Sequence, residues 1–208
     1  MTQSTPTALP TATAGAAYTP QPRKIETDIN GVEITVNVPP DWQAQSTSDG
    51  ILMAERPGSM QSNSRLMGMQ MHIFTHETND FGISMTEGEN DAWAILKFIV
   101  KKQEYIGNAI ASEPQGFTWN GYDAAYYLLN DGYNNVTLLM AVVTDTPKRL
   151  VAFNISCPLQ RADLLRDVLP ELLDGLTINN EVMDVVAMHD LPDPLPFPTV
   201  VEATASAP

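Results

Sequence analysis

The chain has 208 residues, enough for one domain with a sizeable core, and its 25 acidic and 11 basic residues give a formal net charge of −14. So acidic a surface repels phosphate backbones and anionic lipids, which disfavours nucleic acid as a partner and favours cations or basic proteins. No apolar run approaches the roughly 20 residues that a membrane-spanning helix needs.

The single cysteine, Cys157, excludes an intramolecular disulfide and a zinc site built on several thiolates. It lies in the apolar run "LVAFNISCPL". These surroundings predict a buried, unreactive thiol, since reactivity needs a base or a positive charge nearby.

Residues 1–22 are rich in Thr, Ala, Pro and Ser and carry no charge. Such a segment cannot bury enough apolar surface to offset its ordering entropy, so we expect a disordered tether. Stretches of this composition commonly follow the cleavage site of exported proteins and lipoproteins. We therefore expect an exported, periplasmic or cell-surface protein, and one interpretation places a lipid-bearing residue where Met1 stands.

Residues 23–178 are predicted to form one domain. Asn30-Gly31 is a strong hairpin signal, because both turn positions favour positive φ, and the strand "VEITVNV" after it alternates apolar with polar residues. The stretches "GILMAERP" and "SRLMGMQMHIFTH" are predicted strands. The segment "NDAWAILKFIVKKQEYIG" is predicted to be an amphipathic helix that Asn90 or Asp91 caps and Gly107 ends.

The second half of this domain is predicted to be a meander followed by a helix. Residues 116–157 contain three or four antiparallel strands separated by turns at Asn120-Gly121, Asp131-Gly132 and Asp145-Thr146-Pro147. The segment "LQRADLLRDVLPELLDGLTI" predicts an amphipathic helix that Pro170 kinks and Gly175 ends. Four residues are expected on or near its buried face: Leu164, Leu165, Val168 and Leu172.

Residues 179–208 are predicted to be an acidic, proline-rich C-terminal tail, and they contain no Lys or Arg. Its segment "PDPLPFP" suits an extended, polyproline-like conformation. One interpretation is a solvated tail. The other is a strap, either for a partner or along its own domain, that uses Leu195 and Phe197.

The order of elements predicts an α+β fold, an antiparallel β-sheet of about six strands with helices packed on its faces. The pattern resembles the PsbP-like superfamily, a fold also used by a Ran-interacting nuclear import factor and by bacterial DcrB-type lipoproteins. The matching features are a strand that runs into a proline and a tryptophan, a glycine-led central strand, and a strand that leads through a corner into a final helix. They lie in "ITVNVPPDWQ" (Pro39, Asp41, Trp42), "NGYDAAYY" (Gly121, Ala124) and "LVAFNISCP".

The resemblance covers about 150 residues and implies a non-enzymatic, extracytoplasmic accessory module that docks on a membrane complex or a partner protein. Within it, Trp119 and Tyr122 stand beside a tight turn, and aromatic residues at hairpin ends often anchor protein interfaces. They are the predicted binding residues. Trp42 is interpreted as a plug at the end of the core, or alternatively as a platform on which a ligand stacks.

Two other functions stay open. Met67, Met69, Met71, His72 and His76 are residue types that suit copper, and the loop after them could serve a divalent cation. In a strand, however, the methionines and the histidines lie on opposite faces, and the two histidines lie roughly 13 Å apart. The remaining alternative is a hydrolase whose site only the fold would assemble. No catalytic or cofactor motif stands out, so we predict no enzyme activity and no cofactor.

Overall fold

The computed structural model describes residues 23–55 and 66–199. The predicted tether, residues 1–22, and the end of the predicted tail lie outside the described residues. Twelve strands are present in the described part: β1 (Arg23–Ile29), β2 (Val32–Val38), β3 (Gln43–Ser46), β4 (Gly50–Ala54), β5 (Gln70–Glu77), β6 (Ile110–Ala111), β7 (Gln115–Trp119), β8 (Tyr122–Asn130), β9 (Asn135–Asp145), β10 (Lys148–Pro158), β11 (Thr177–Ile178) and β12 (Glu181–Val182). The α-helices are α1 (Asp91–Ile99), α2 (Gln103–Ile106) and α3 (Leu165–Leu172), and 3₁₀ turns span Thr78–Phe81, Leu159–Leu164 and Val185–Asp190.

The strands form two antiparallel sheets. The larger has eight strands in the order β3-β4-β5-β10-β9-β8-β6, with β7 also paired to β8, and the smaller has the order β1-β2-β11-β12. The predicted α+β fold with an antiparallel sheet and helices packed on it is confirmed. The larger sheet has more strands than the six expected, because strands as short as β6 carry no readable periodicity.

The central meander separates two cores by simple alternation along each strand. On β9, Leu138, Met140 and Val142 belong to one apolar cluster, whereas the residues between them, such as Leu139 and Ala141, belong to the other. The first cluster also contains side chains of the smaller sheet and α3, and the second contains those of α1. Both faces of the larger sheet are therefore covered, as fully apolar strands require.

The first hairpin agrees with its prediction. Asn30 and Gly31 have φ of 56° and 83°, and Ile29 pairs with Val32 across the turn. Because apolar and polar residues alternate along β2, Val32 and Val36 are 0% exposed and lie in the first apolar cluster, which is the larger of the two. Pro39 ends the strand, since a proline cannot donate a ladder hydrogen bond.

The predicted first helix is split in two. Asn90 caps α1, because its side-chain oxygen accepts a 2.8 Å hydrogen bond from the Trp93 N–H, while its amide donates to carbonyls of the neighbouring strands. The prediction of one continuous helix to Gly107 is wrong. Beyond Ile99 the next residues are mostly exposed, and an unburied segment gains too little packing to stay helical.

The predicted second helix begins as a 3₁₀ turn and becomes α-helical only at Leu165. Its buried stripe is Leu165, Leu169 and Leu172, spaced as one helix face requires. Leu164 was expected near that face and is instead 46% exposed, because it lies in the 3₁₀ turn before the regular helix. Pro170 lies inside α3.

Residues 183–197 run along their own domain. Met183, Met188, Leu191 and Leu195 are buried in the larger cluster, and Phe197 packs against it. The guanidinium of α3's Arg166 donates to the carbonyl oxygens of His189 (3.0 Å) and Leu191 (3.1 Å). Of the interpretations offered for this segment, a strap along its own domain that uses Leu195 and Phe197 agrees with this packing.

Candidate protein-binding site

The predicted binding residues, Trp119 and Tyr122, face each other across the Asn120-Gly121 turn. Trp119 is 1% exposed, its ring lies 5.7 Å from that of Phe153, and its indole N–H donates a 2.8 Å hydrogen bond to the carbonyl oxygen of Asp184. The C-terminal segment thus covers this indole, and Trp119 is not accessible to a partner in this structure.

Tyr122 is partly exposed. Burial, a hydrogen bond with Glu181 and the charge of that carboxylate raise the pKa of Tyr122 to about 12. Val182, which is 66% exposed, lies on the same short strand as Glu181. The accessible apolar contacts at this hairpin end therefore include Tyr122 and Val182, and an interface role here stays a prediction.

A second feature, the acidic cleft, opens between α3 and the exit of β2, with a volume of about 800 Å³. It draws its walls from four separate parts of the sequence. The lining residues are Asp41, Trp42, Glu55, Met69, Arg161, Leu164, Asp167, Val168 and Glu171.

Among the described residues that line the cleft, the one basic side chain, Arg161, is already paired. The two terminal nitrogens of Arg161 both donate to the carboxylate of Glu55, one of them at 2.9 Å, and this pairing raises the pKa of the arginine. The same carboxylate accepts a 3.0 Å hydrogen bond from the Met69 N–H. The charge of Arg161 is thereby compensated, and the other charged side chains among the described lining residues are the carboxylates of Asp41, Asp167 and Glu171.

The acidic side chains have apolar neighbours. Trp42 packs one side against the core and lines the cleft with the other, and its main-chain N–H donates a 3.0 Å hydrogen bond to the Pro39 carbonyl oxygen. On α3, Asp167 and Glu171 lie one turn apart, opposite the buried leucine stripe, and Leu164 extends the same face. The interpretation of Trp42 as a core plug agrees with this packing, and its alternative role as a platform on which a ligand stacks stays a prediction.

The cleft was missed at the sequence level because its walls are up to about 130 positions apart along the chain. A local signal did exist, since Asp167 and Glu171 share the face of α3 that the leucines leave to solvent. Nothing local says that this face borders Trp42.

The methionines and histidines proposed for copper do not converge. On β5, Met71 is fully buried while His72 and His76 lie on the opposite face, on either side of the Phe74 ring. Within residues 23–55 and 66–199, no three His, Cys, Asp or Glu side chains are grouped so that they could hold a metal ion.

The thiol of Cys157 is fully buried, as predicted. Burial raises its pKa to about 12, an effect that the nearby Arg161 opposes only in part. The prediction of an unreactive structural cysteine agrees with both observations.

Solved structures with a similar course of the chain include a cyanobacterial PsbP (CyanoP) from Synechocystis, the Ran-binding protein Mog1p from Saccharomyces cerevisiae, and LpqN, involved in cell envelope biogenesis of Mycobacterium tuberculosis. For CyanoP the identity is 12%, the TM-score 0.49, and the similarity covers 80% of this chain and 98% of that one. For Mog1p the identity is 10% and the TM-score 0.46, and the similarity covers 76% of this chain and 97% of that one. For LpqN the identity is 15% and the TM-score 0.48, with 75% of this chain and 90% of that one covered.

A PsbP and a Ran-binding protein are the kinds of protein that the sequence resemblance named. At such identities and TM-scores the likeness concerns the fold and carries no functional conclusion. No family model matches the chain, and no curated protein matches it. Among the described residues, no helix is long and apolar enough to cross a membrane.

Proposed function

We propose that the chain is a non-enzymatic binding module whose acidic cleft receives a basic segment of a partner protein. The observation that carries this proposal is the combination, in one concavity, of exposed apolar surface with three carboxylates that form no ion pair within residues 23–55 and 66–199. Asp41, Asp167 and Glu171 supply the charge, and Trp42 and Leu164 supply the apolar contact.

A peptide segment suits this site better than a small cation does. The carboxylates are spread along a cleft of about 800 Å³ and share it with an indole ring, which can stack against a lysine or arginine side chain as well as pack against an apolar one. The net charge of −14 adds a long-range field that accelerates the approach of basic partners.

We also propose an extracytoplasmic placement in which residues 1–22 serve as a tether, in the manner of a lipoprotein. The support is the uncharged Thr/Pro/Ala composition of residues 1–22, which is typical of segments that follow an export signal. A module of this kind would dock on a membrane complex or a neighbouring protein within reach of its tether.

The experiment is a capture from the membrane fraction of the native host with the full chain immobilised, followed by mass spectrometry. The cleft variant Asp167→Asn/Glu171→Gln removes two charges from α3. The matched control, Glu87→Gln/Glu89→Gln, removes two exposed charges before α1 and leaves the same net charge.

We expect the wild type and the control to retain the same partner, and the cleft variant to lose it. Binding of a synthetic peptide of alternating lysine and leucine, followed by calorimetry, should show the same order and weaken with added salt. Equal retention by both variants would place the interface elsewhere, and no retained partner together with no peptide binding would overturn the proposal.

A further inference from the structure

A second cavity lies on the other side of the larger sheet, and its lining is mostly apolar, unlike that of the acidic cleft. Its volume is about 460 Å³, within the range of small-molecule sites. The floor is formed by β5, β8, β9 and β10, and the roof by α1, α2 and the 3₁₀ turn Thr78–Phe81. The lining is mostly apolar: Phe74, His76, Asp80, Phe81, Leu96, Ile99, Tyr105, Tyr127, Leu129, Leu139, Leu150, Ala152 and Asn154.

The sheet register explains where this cavity forms. One transverse row of the sheet consists of Ala125, Ala141 and Ala152, and these small side chains allow α1 to lie close to the sheet. The next row contains Tyr127, Leu139 and Asn154, and the cavity lies over this row.

Tyr127 is the notable member of this row. Its side chain is 2% exposed, it lines the cavity, and among the described residues nothing accepts or donates a hydrogen bond at its hydroxyl. Burial alone raises its pKa, so the hydroxyl remains protonated and is a hydrogen-bond donor at every physiological pH. The hydroxyl is not among the sealed-off unsatisfied atoms of the described residues, so it reaches the space of the cavity, where a bound acceptor would take the place of water.

Asn154 offers a second donor two strands away. Its side-chain oxygen accepts a 2.8 Å hydrogen bond from the Ser156 hydroxyl, while within the described part of the chain its amide N–H groups donate to nothing. Both Tyr127 and Asn154 pair with Leu139, so they flank it on one face, about 10 Å apart between main chains. A ligand over Leu139 reaches both.

We propose that this cavity binds a neutral, compact, apolar molecule that carries a carbonyl or ether oxygen, which Tyr127 and Asn154 hold. The aromatic rings of Phe74, Phe81 and Tyr105 supply the apolar contact. The acceptor is neutral because Asp80 lies at the cavity and the whole chain carries a charge of −14, so an anion is repelled.

The test uses the neutral naphthyl ketone 6-propionyl-2-(dimethylamino)naphthalene, whose fluorescence shifts to the blue in apolar surroundings. Titration of the full chain should give saturable binding. Tyr127→Phe removes only the hydroxyl and should weaken binding about two- to tenfold, the range for one hydrogen bond. The matched control is Tyr126→Phe, since Tyr126 neighbours Tyr127 on β8 but belongs to the opposite core, and it should bind as the wild type does.

Filling the cavity with Leu129→Trp should abolish binding. Should that variant not fold, methyl NMR of the wild type decides, because the probe must shift the resonances of Leu139 and Ala152. No saturable binding, equal affinities of the two tyrosine variants, or unshifted methyls would each overturn the proposal. The cleft variant Asp167→Asn/Glu171→Gln should bind the probe normally, which keeps this test separate from the proposed function.

Discussion

The indole N–H of Trp119 and the carbonyl oxygen of Asp184 are joined by a 2.8 Å hydrogen bond across 65 positions of sequence. Next to it, the side-chain amide of Asn120 donates to the Val182 carbonyl and its oxygen accepts from the Asp184 N–H, both at 2.7 Å. A single hairpin end thus holds the C-terminal segment by three hydrogen bonds, which explains why Trp119 is buried.

Replacing Asn120 by glycine should weaken this attachment. Asn120 has φ of 50°, which glycine adopts without strain, so the Asn120→Gly change removes only the amide and its two hydrogen bonds. We expect a loss of about 1 kcal/mol in the free energy of unfolding and faster hydrogen exchange at the Asp184 amide. Urea denaturation and exchange NMR measure the two effects.

The control is Asn30→Gly, at the equivalent position of the other Asn-Gly hairpin. Asn30 donates to the Thr75 hydroxyl and does not contact the C-terminal segment, so its loss should leave exchange at Asp184 unchanged. Unaltered exchange in Asn120→Gly would contradict the inference that this hairpin end holds residues 182–184.

Two glycines with similar positive φ values allow the cost of backbone strain to be compared with the cost of a steric clash at the added Cβ. Gly175 and Gly82 have φ of 66° and 61°, but a Cβ at Gly175 would lie 2.3 Å from the Asn37 amide nitrogen, whereas one at Gly82 would meet nothing within 4 Å. We expect Gly82→Ala to cost about 1 kcal/mol from the left-handed conformation alone, and Gly175→Ala to cost clearly more.

Thermal or urea unfolding of both variants measures the difference. Adding Asn37→Ala to Gly175→Ala should bring its cost down towards that of Gly82→Ala, because the crowded group is gone. Equal costs for the two single variants would mean that Asn37 moves aside freely.

The local turns were predictable from sequence because their causes are local. Asn30-Gly31 and Asn120-Gly121 set positive φ in two adjacent residues, and the alternation in β2 records one buried face. The burial of Trp119 was not predictable, since it depends on Asp184 arriving from a distant part of the chain. The break after Ile99 likewise depends on where the sheet surface ends, which no residue near it encodes.

The two cavities could not be predicted from the sequence, because they too depend on contacts between distant parts of the chain. Asp167 and Trp42 meet only because α3 lies against the exit of β2. Tyr127 looks like ordinary core in its strand, and only the register with Leu139 and Asn154 shows that its hydroxyl faces a space.

Asp131 should make stability depend on pH. Burial raises the pKa of this carboxyl, but hydrogen bonds from the main-chain N–H groups of Asn135, Tyr133 and Asn134 and from the Asn135 amide outweigh it and hold the pKa below its usual value. A lowered pKa means that the folded state binds the proton less well than the unfolded state does. The stabilisation is therefore complete above about pH 4, the usual pKa of the unfolded state, and is lost as the pH falls through the folded-state pKa.

In Asp131→Asn one oxygen becomes an amide that faces the Asn135 amide, donor against donor, where Asp131 accepts at 2.6 Å. We expect a loss of about 1–2 kcal/mol at pH 7 that shrinks below pH 4. Urea unfolding between pH 2.5 and 7 measures it. The exposed Asp190→Asn serves as control, and a pH-independent difference would speak against the carboxylate's role.

Cys157 should be silent to thiol reagents in the folded protein. Its thiolate is the reactive form, and a pKa of about 12 leaves almost none of it at pH 8. We expect no reaction with Ellman's reagent in the native state and complete reaction in 6 M guanidinium. Ser48→Cys, at an exposed turn, provides a reactive reference, and native labelling of Cys157 at a comparable rate would be inconsistent with its burial.

The smaller sheet joins the beginning of the described chain to its far end. Thr35 and Ile34 of β2 pair with Thr177 and Ile178 of β11, and the Glu33 N–H donates to the Asn179 side chain across 146 positions. Contacts of such long range form late, because the entropy of closing the loop must be met before they contribute. The pairing of β2 with β11 is therefore expected to be a late step of folding, so the smaller sheet is completed only after β11 docks on the first hairpin.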